Sequence, residues 1–230
     1  MKNQTLLFLS ILFCTLSIYS QAPRGFYAFA GFDQTELKSS DLLTDPNLGF
    51  LLGLNFQMGY HETYNYQLEL TYRSNSMNVK YVENDFNEAK DSKFNASSLN
   101  LGLYFNYYIL KPEEDEFFIG PQVGVFAAFH DAFTPARGAD VTGQYYLPHL
   151  LDESDLTNSS KFNYGFGAGL TGGYNNFRFD LRYSLGMANL LSDIETDSYD
   201  ETHTYTGPAL EGKTNTLIFG ISYNIFHPKK

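Results

Sequence analysis

The segment FRFDLRYSLG, residues 177–186, sets Phe177, Phe179, Leu181, Tyr183 and Leu185 in strict alternation with Arg178, Asp180, Arg182, Ser184 and Gly186. A repeat of two puts the two sets on opposite faces of a β-strand. The same pattern runs through YQLELTYRS (66–74), SLNLGLYFNYYI (98–109) and FNYGFGAGLTGGY (162–174). Looser versions occupy GFYAFAGF (25–32), GFLLGLNFQMG (49–59), FFIGPQVGVFAAF (117–129) and TLIFGISYNIF (216–226). No segment carries a helical period, so the chain reads as all-β with eight strands. Most have about the 9–11 residues that a tilted strand needs to cross a bilayer.

The connections fall into two populations. Those after the second, fourth and sixth strands are short: YHETYN, KPEEDE and Asn175-Asn176. Those after the first, third, fifth and seventh are long. Long structureless loops are uncommon inside compact domains. Their regular alternation with tight turns is the connectivity of an up-and-down membrane barrel, with short turns at the periplasmic end and long loops outside. The pattern predicts an eight-stranded antiparallel up-and-down transmembrane β-barrel with long extracellular loops.

The face pattern decides which side is wet. Tyr66, Leu68, Leu70 and Tyr72 alternate with Gln67, Glu69, Thr71 and Arg73, and the glycines of 162–174 alternate with Phe and Tyr. An eight-stranded barrel has an interior barely wide enough for side chains, and eight inward rows of Phe, Tyr and Leu would overfill it. The bulky face is therefore expected to meet lipid, which makes outer-membrane lipid the first partner. Glu69, Arg73, Arg178, Asp180 and Arg182 then become a polar lumen network, joined by Gln57, Asn100, Asn106, Gln122 and Asn224. Buried charges must be paired or hydrogen-bonded. Two acids against three arginines leave one positive charge for hydroxyls, amides or water, and the expected result is a plug of paired charges rather than an ion pathway.

Composition narrows the class further. The 230-residue chain has a formal net charge of −11, with 21 Phe, 18 Tyr and no Trp. So acidic a chain offers no basic patch for nucleic acid. Lys2 is the only charge among the first twenty residues, followed by the apolar run from Leu6 to Phe13 and a small residue, Ser20. This predicts a signal peptide over 1–20, export, and a barrel domain over 21–230 in the bacterial outer membrane. The alternative, an N-terminal anchor helix, has a rather short apolar run. Cys14, the single cysteine, follows Phe13 rather than the small residue that lipid attachment would need. The expected mature chain thus has no disulfide.

The run of Gln67, Glu69, Leu70 and Tyr72, the tyrosine-rich end of 98–109, and Gly120 with Gly124 together resemble the PorT-like outer-membrane barrel proteins of Bacteroidetes. The resemblance covers nearly the whole mature chain and implies a barrel fold rather than a chemical activity. Gly220, Tyr223 and Ile225 are spaced as in a C-terminal signal for barrel assembly.

Function is expected in the loops. Tyr145, Tyr146 and Leu147, with Leu150 and Leu151, form an apolar cluster in the third long loop, placed to fold over the barrel mouth or to meet a protein partner. Asp193, Glu195, Asp197, Asp200 and Glu201 make the fourth loop acidic. Its start has the alternate acids of a calcium loop, but Ser198 stands at the glycine position and Thr204 where a bidentate Glu is needed. No metal and no cofactor are expected. Five histidines (61, 130, 149, 203 and 227) are scattered over turns, loops and tail. Only His130 and Asp131, near Ser192 and Asp193 if the loops converge, offer a catalytic grouping. The expectation is a structural or interaction barrel and not an enzyme. A small transport barrel is the alternative, with a lipid-modifying enzyme below it.

Overall fold

The computed structural model describes residues 25–40, 42–61, 63–83, 89–110, 117–136, 144–146, 156–157, 159–194 and 210–226. The expected signal peptide lies outside the described residues. The strands are β1 (Phe26–Lys38), β2 (Thr44–Pro46), β3 (Leu48–His61), β4 (Tyr64–Glu83), β5 (Lys90–Tyr107), β6 (Phe118–His130), β7 (Thr134–Pro135), β8 (Gln144–Tyr146), β9 (Phe162–Tyr174), β10 (Phe177–Gly186) and β11 (Lys213–Phe226). The eight long strands pair antiparallel in the order β1, β3, β4, β5, β6, β9, β10, β11, and β11 returns to β1. Closure leaves the ring no unpaired edge, which a strand in lipid could not tolerate.

The alternation of sequence becomes an inside and an outside. On β10, Leu181 is 48% exposed while its neighbour Arg182 is 0%. Phe50, Leu54, Leu101, Val125, Phe166 and Phe219 likewise point away from the barrel. The charged and amide side chains are the buried ones, so the molecule is inverted relative to a water-soluble sheet. Between β9 and β10 the turn is only Asn175-Asn176, and Asn175 takes a left-handed φ of 53°. Asparagine tolerates that region better than most residues with a Cβ.

Four strands run three or more residues beyond the lengths expected from sequence at the end that bears the long connections, β11 among them, since it begins at Lys213 instead of Thr216. β1 continues from Phe32 to Lys38, and β4 from Ser74 to Glu83; β5 begins at Lys90 instead of Ser98. The long loop expected after the third strand is therefore mostly a protruding hairpin, paired from Ser74↔Ser97 to Tyr81↔Lys90. The physical reason is legible in hindsight. Below Arg73 the apolar residues of β4 are even-numbered and face out; above it they are Met77, Val79 and Tyr81, odd-numbered and buried. The strand keeps its geometry while its apolar face swaps sides, as it must on passing from lipid into water. β5 does the same, with Leu99, Leu101 and Leu103 outward and Phe94 inward.

The inward apolar side chains above the switch meet a core of their own. Leu37, Leu42, Met77, Val79, Tyr81, Phe94, Phe133, Leu156, Leu190, Leu191, Ile194 and Leu210 form one buried cluster. It gathers strand extensions and loop residues from all four long connections into an apolar cap at that end of the barrel. β2 and β8 pair with β4, and β7 with β5, so short loop strands brace the protruding hairpin on both sides.

Candidate functional site

Below the cap the bore is packed with charge and amide. β10 presents Arg178, Asp180, Arg182 and Ser184 inward at successive positions, all essentially buried. Arg182 Nη2 donates to Glu69 Oε2 of β4 at 2.8 Å, and Gln67 Nε2 donates to the same oxygen at 3.1 Å. The guanidinium also lies over the ring of Tyr104 on β5, 3.9 Å from the centroid. That stack needs space on the facing strands. Gly167 supplies some of it, since a Cβ there would sit 3.1 Å from Tyr104 Cε1 and 3.2 Å from Arg182 Cδ. Glycine in the lumen rows thus makes room for one large aromatic and one arginine.

Arg178 takes a different partner, its own neighbour on the strand face. Its Nε reaches Asp180 Oδ1 at 3.2 Å. On the first strand Asp33 is buried in the same lumen, with Arg73 of β4 as a nearby cation, although no ion pair joins the two. Asp33 was not among the residues expected in the lumen, because the alternation in GFYAFAGF ends at Phe32. It continues the inward row of Phe29 and Gly31, and parity alone could have found it. With it the buried lumen holds three acids, Asp33, Glu69 and Asp180, against Arg73, Arg178 and Arg182. The excess positive charge of the sequence reading is cancelled.

Toward the short-turn end a chain of amides crosses four strands. Gln122 Nε2 donates to Asn106 Oδ1 at 2.7 Å, Asn106 Nδ2 to Asn65 Oδ1 at 2.7 Å, and Asn65 Nδ2 to Gln57 Oε1 at 3.1 Å. Asn55 and Ser222 are joined across β3 and β11 at 3.1 Å. Amides suit this role because each carries both a donor and an acceptor and can relay a chain.

The loop candidates divide. Tyr145 and Tyr146 lie in β8, paired with Val82 and Tyr81 of the protruding hairpin, so the third loop returns to the hairpin through its backbone. Leu147, Glu195 and Asp197 lie outside the described residues, as do Leu150, Leu151, Asp200 and Glu201. Asp193 is exposed and accepts a hydrogen bond from Ser192 Oγ at 3.0 Å. Asp131 is taken by Ser97 Oγ at 2.7 Å. No hydrogen bond among the described residues joins His130 or Asp131 to Ser192 or Asp193, so the one candidate catalytic grouping is not assembled there. Likewise no cluster of three or more His, Cys, Asp or Glu suited to a metal occurs among the described residues.

A residue that sequence reasoning passed over organises the fourth loop. Asn189 Oδ1 accepts from the backbone N–H of Gly212 at 2.8 Å and of Leu191 at 3.1 Å, and its Nδ2 donates to the carbonyl of Leu210 at 2.7 Å. One side chain therefore clamps both ends of the loop at its base and holds Leu190, Leu191 and Leu210 in the cap. A lone asparagine in a polar stretch gives no sequence signal for this.

A family model described as an outer membrane protein beta-barrel domain matches residues 20–192. No curated protein matches the chain. Among solved structures, the Neisserial surface protein A is similar with a TM-score of 0.50 at 12% identity, covering 89% of this chain and 100% of that one. The outer membrane protein OprG from Pseudomonas aeruginosa gives 0.50 at 14% identity, covering 90% and 98%. Identities this low speak for a common fold.

Proposed function

This chain belongs to the outer membrane protein β-barrel domain family, and from that premise we propose that it is a non-conducting structural barrel that acts through its surface loops. The bacterial outer membrane is its location and the eight-stranded barrel its fold. The observation that carries the proposed role is the double closure of the bore. Paired charges and an amide chain fill the lumen, and the apolar cap lies over its outer end. An ion entering such a path would shed its water against Leu and Phe and then displace a buried ion pair. Loops braced on a protruding hairpin offer a protein partner a preorganised surface, which lowers the cost of binding. The PorT-like pattern fits the same reading, since Glu69 of that pattern is the anchor for Arg182.

A small transport barrel is the second reading, and one observation favours it. Arg178 Nη1 and Nη2, Asp180 Oδ2, and Arg182 Nε and Nη1 are buried without a protein partner. Groups of this kind are ordinarily satisfied by ordered water, which a transport path through the lumen would supply. Purified protein in planar bilayers separates the two readings. A closed barrel leaves the membrane silent, whereas large, reproducible current steps would replace the structural role with transport. Crosslinking from 131–161 and 187–213 on intact cells then identifies the partner. If silence in the bilayer were matched by the absence of any crosslinked species, the loop-mediated role would fall as well.

A further inference from the structure

Lys38 and Lys213 stand directly opposite each other where β1 and β11 end, both exposed. Like charges at facing positions of an antiparallel pair repel, and neither lysine makes an ion pair with a described residue. Lys80, in contrast, faces Asp45 at 3.9 Å. Two cations side by side with no ion pair to a described residue are unexpected on a chain whose net charge is −11.

Their position relative to lipid gives the pair a purpose. On the outer face of β11 the apolar row runs up through Ile221, Phe219 and Leu217; above it Asn215 is buried and Lys213 is exposed. On β1 it passes from Phe32 through Gln34 and Glu36 to Lys38. Four residues of strand span about 13 Å, or about 9 Å along the membrane normal at a tilt of about 45°. The headgroup layer is roughly 5–8 Å deep on each side of the hydrocarbon. A lysine stem bends back over that distance with its ammonium in the polar layer.

A groove of about 810 Å³ opens here between the first loop and the base of the fourth, with both lysines, Leu43, Met187 and Asn189 among its lining. Leu43 and Met187 are exposed apolar side chains on its walls. Glu36 and Glu211 also border it, so an anion held there must be compact enough to sit between the two ammoniums. We infer that Lys38 and Lys213 bind the phosphate of a lipid in the outer leaflet, whose acyl chains rest on the β1–β11 face. A single phosphate fits between two facing ammoniums and removes their repulsion. An extended polyanion would run into the carboxylates.

The test uses the full-length mature protein in detergent micelles, titrated with a diacyl phosphatidic acid and read by native mass spectrometry. One lipid should bind per barrel. K38Q/K213Q should weaken binding about twenty-five-fold, from about a factor of five for each lysine near a charged headgroup. K161Q, an exposed charge elsewhere on the rim, should leave it unchanged. A second readout is independent of affinity: phosphatidic acid should raise the unfolding temperature of the wild type and not of K38Q/K213Q, while a diacylglycerol of the same chains raises neither. Four outcomes would overturn the inference. They are equal loss in K161Q, equal binding of the diacylglycerol, competition by a sulfated polysaccharide, and inorganic phosphate binding as tightly as the lipid.

Discussion

Replacing Glu69 with Gln keeps the shape of the side chain and removes the charge that neutralises Arg182. The arginine is 0% exposed and the glutamate 2%, with 2.8 Å between Nη2 and Oε2. At an effective dielectric of about 20, unit charges about 4 Å apart attract by about 4 kcal/mol. Removing one partner of a buried pair costs about 3–5 kcal/mol, because the other charge stays buried without compensation. The stack on Tyr104 retains part of the guanidinium's stabilisation, which places E69Q near the lower end, about 3 kcal/mol. Removing both charges tells more. R182M keeps an unbranched stem of similar reach, and E69Q/R182M leaves no buried charge at this position. The double variant should fall within about 1.5 kcal/mol of wild type, giving a coupling energy of about 3 kcal/mol or more. Urea unfolding in lipid vesicles, followed by the gel mobility of folded against unfolded barrel, measures each corner of the cycle. A loss below about 1 kcal/mol in E69Q, or additive losses in the double variant, would refute the view that the pair is one unit holding β4 to β10.

Two further variants probe the other parts of the structure. N189A removes three hydrogen bonds at the base of the fourth loop and leaves the Gly212 and Leu191 N–H groups without their acceptor, each lost partner costing about 1–3 kcal/mol where it stays dry. Surface proteolysis of intact cells should then cut within 187–213 faster than in wild type while the barrel keeps its gel mobility; an unchanged rate would mean that the loop is held by its apolar residues alone. G167V pushes a branched side chain against Tyr104 and Arg182, where even a Cβ would be only 3.1–3.2 Å away, and should cost about 1–3 kcal/mol by overpacking. A change within about 0.5 kcal/mol would show that the stack has slack.

Much of this molecule is legible in its sequence. The alternation in 66–74, 98–109, 162–174 and 177–186 gave the strands and the wet face, and the short turns gave the hairpin order. Arg178, Asp180, Arg182, Glu69 and Arg73 are all buried inside the ring of strands. Asp33 carries no such signal, because the aromatic alternation stops at Phe32 while the strand continues to Lys38. The protruding hairpin looks like a loop in sequence because Met77, Val79 and Tyr81 break the parity that holds below Arg73. That rule is one of solvent rather than of strand: the apolar face follows lipid outward and the cap inward.

What the sequence determined by itself is therefore local: which segments are strands, which residues share a face, and that the bulky face is too large to point inward. Those follow from a repeat of two and from side-chain volume, and neither needs a partner strand. Which lumen residues meet is another matter. Glu69 reaches Arg182 over 113 positions of chain and Asn163 reaches Thr214 over 51, and those meetings depend on the stagger with which eight strands close. The cap depends on it too, since Leu37, Phe94, Leu191 and Leu210 share no periodicity and become neighbours only when the ring brings four connections to one end.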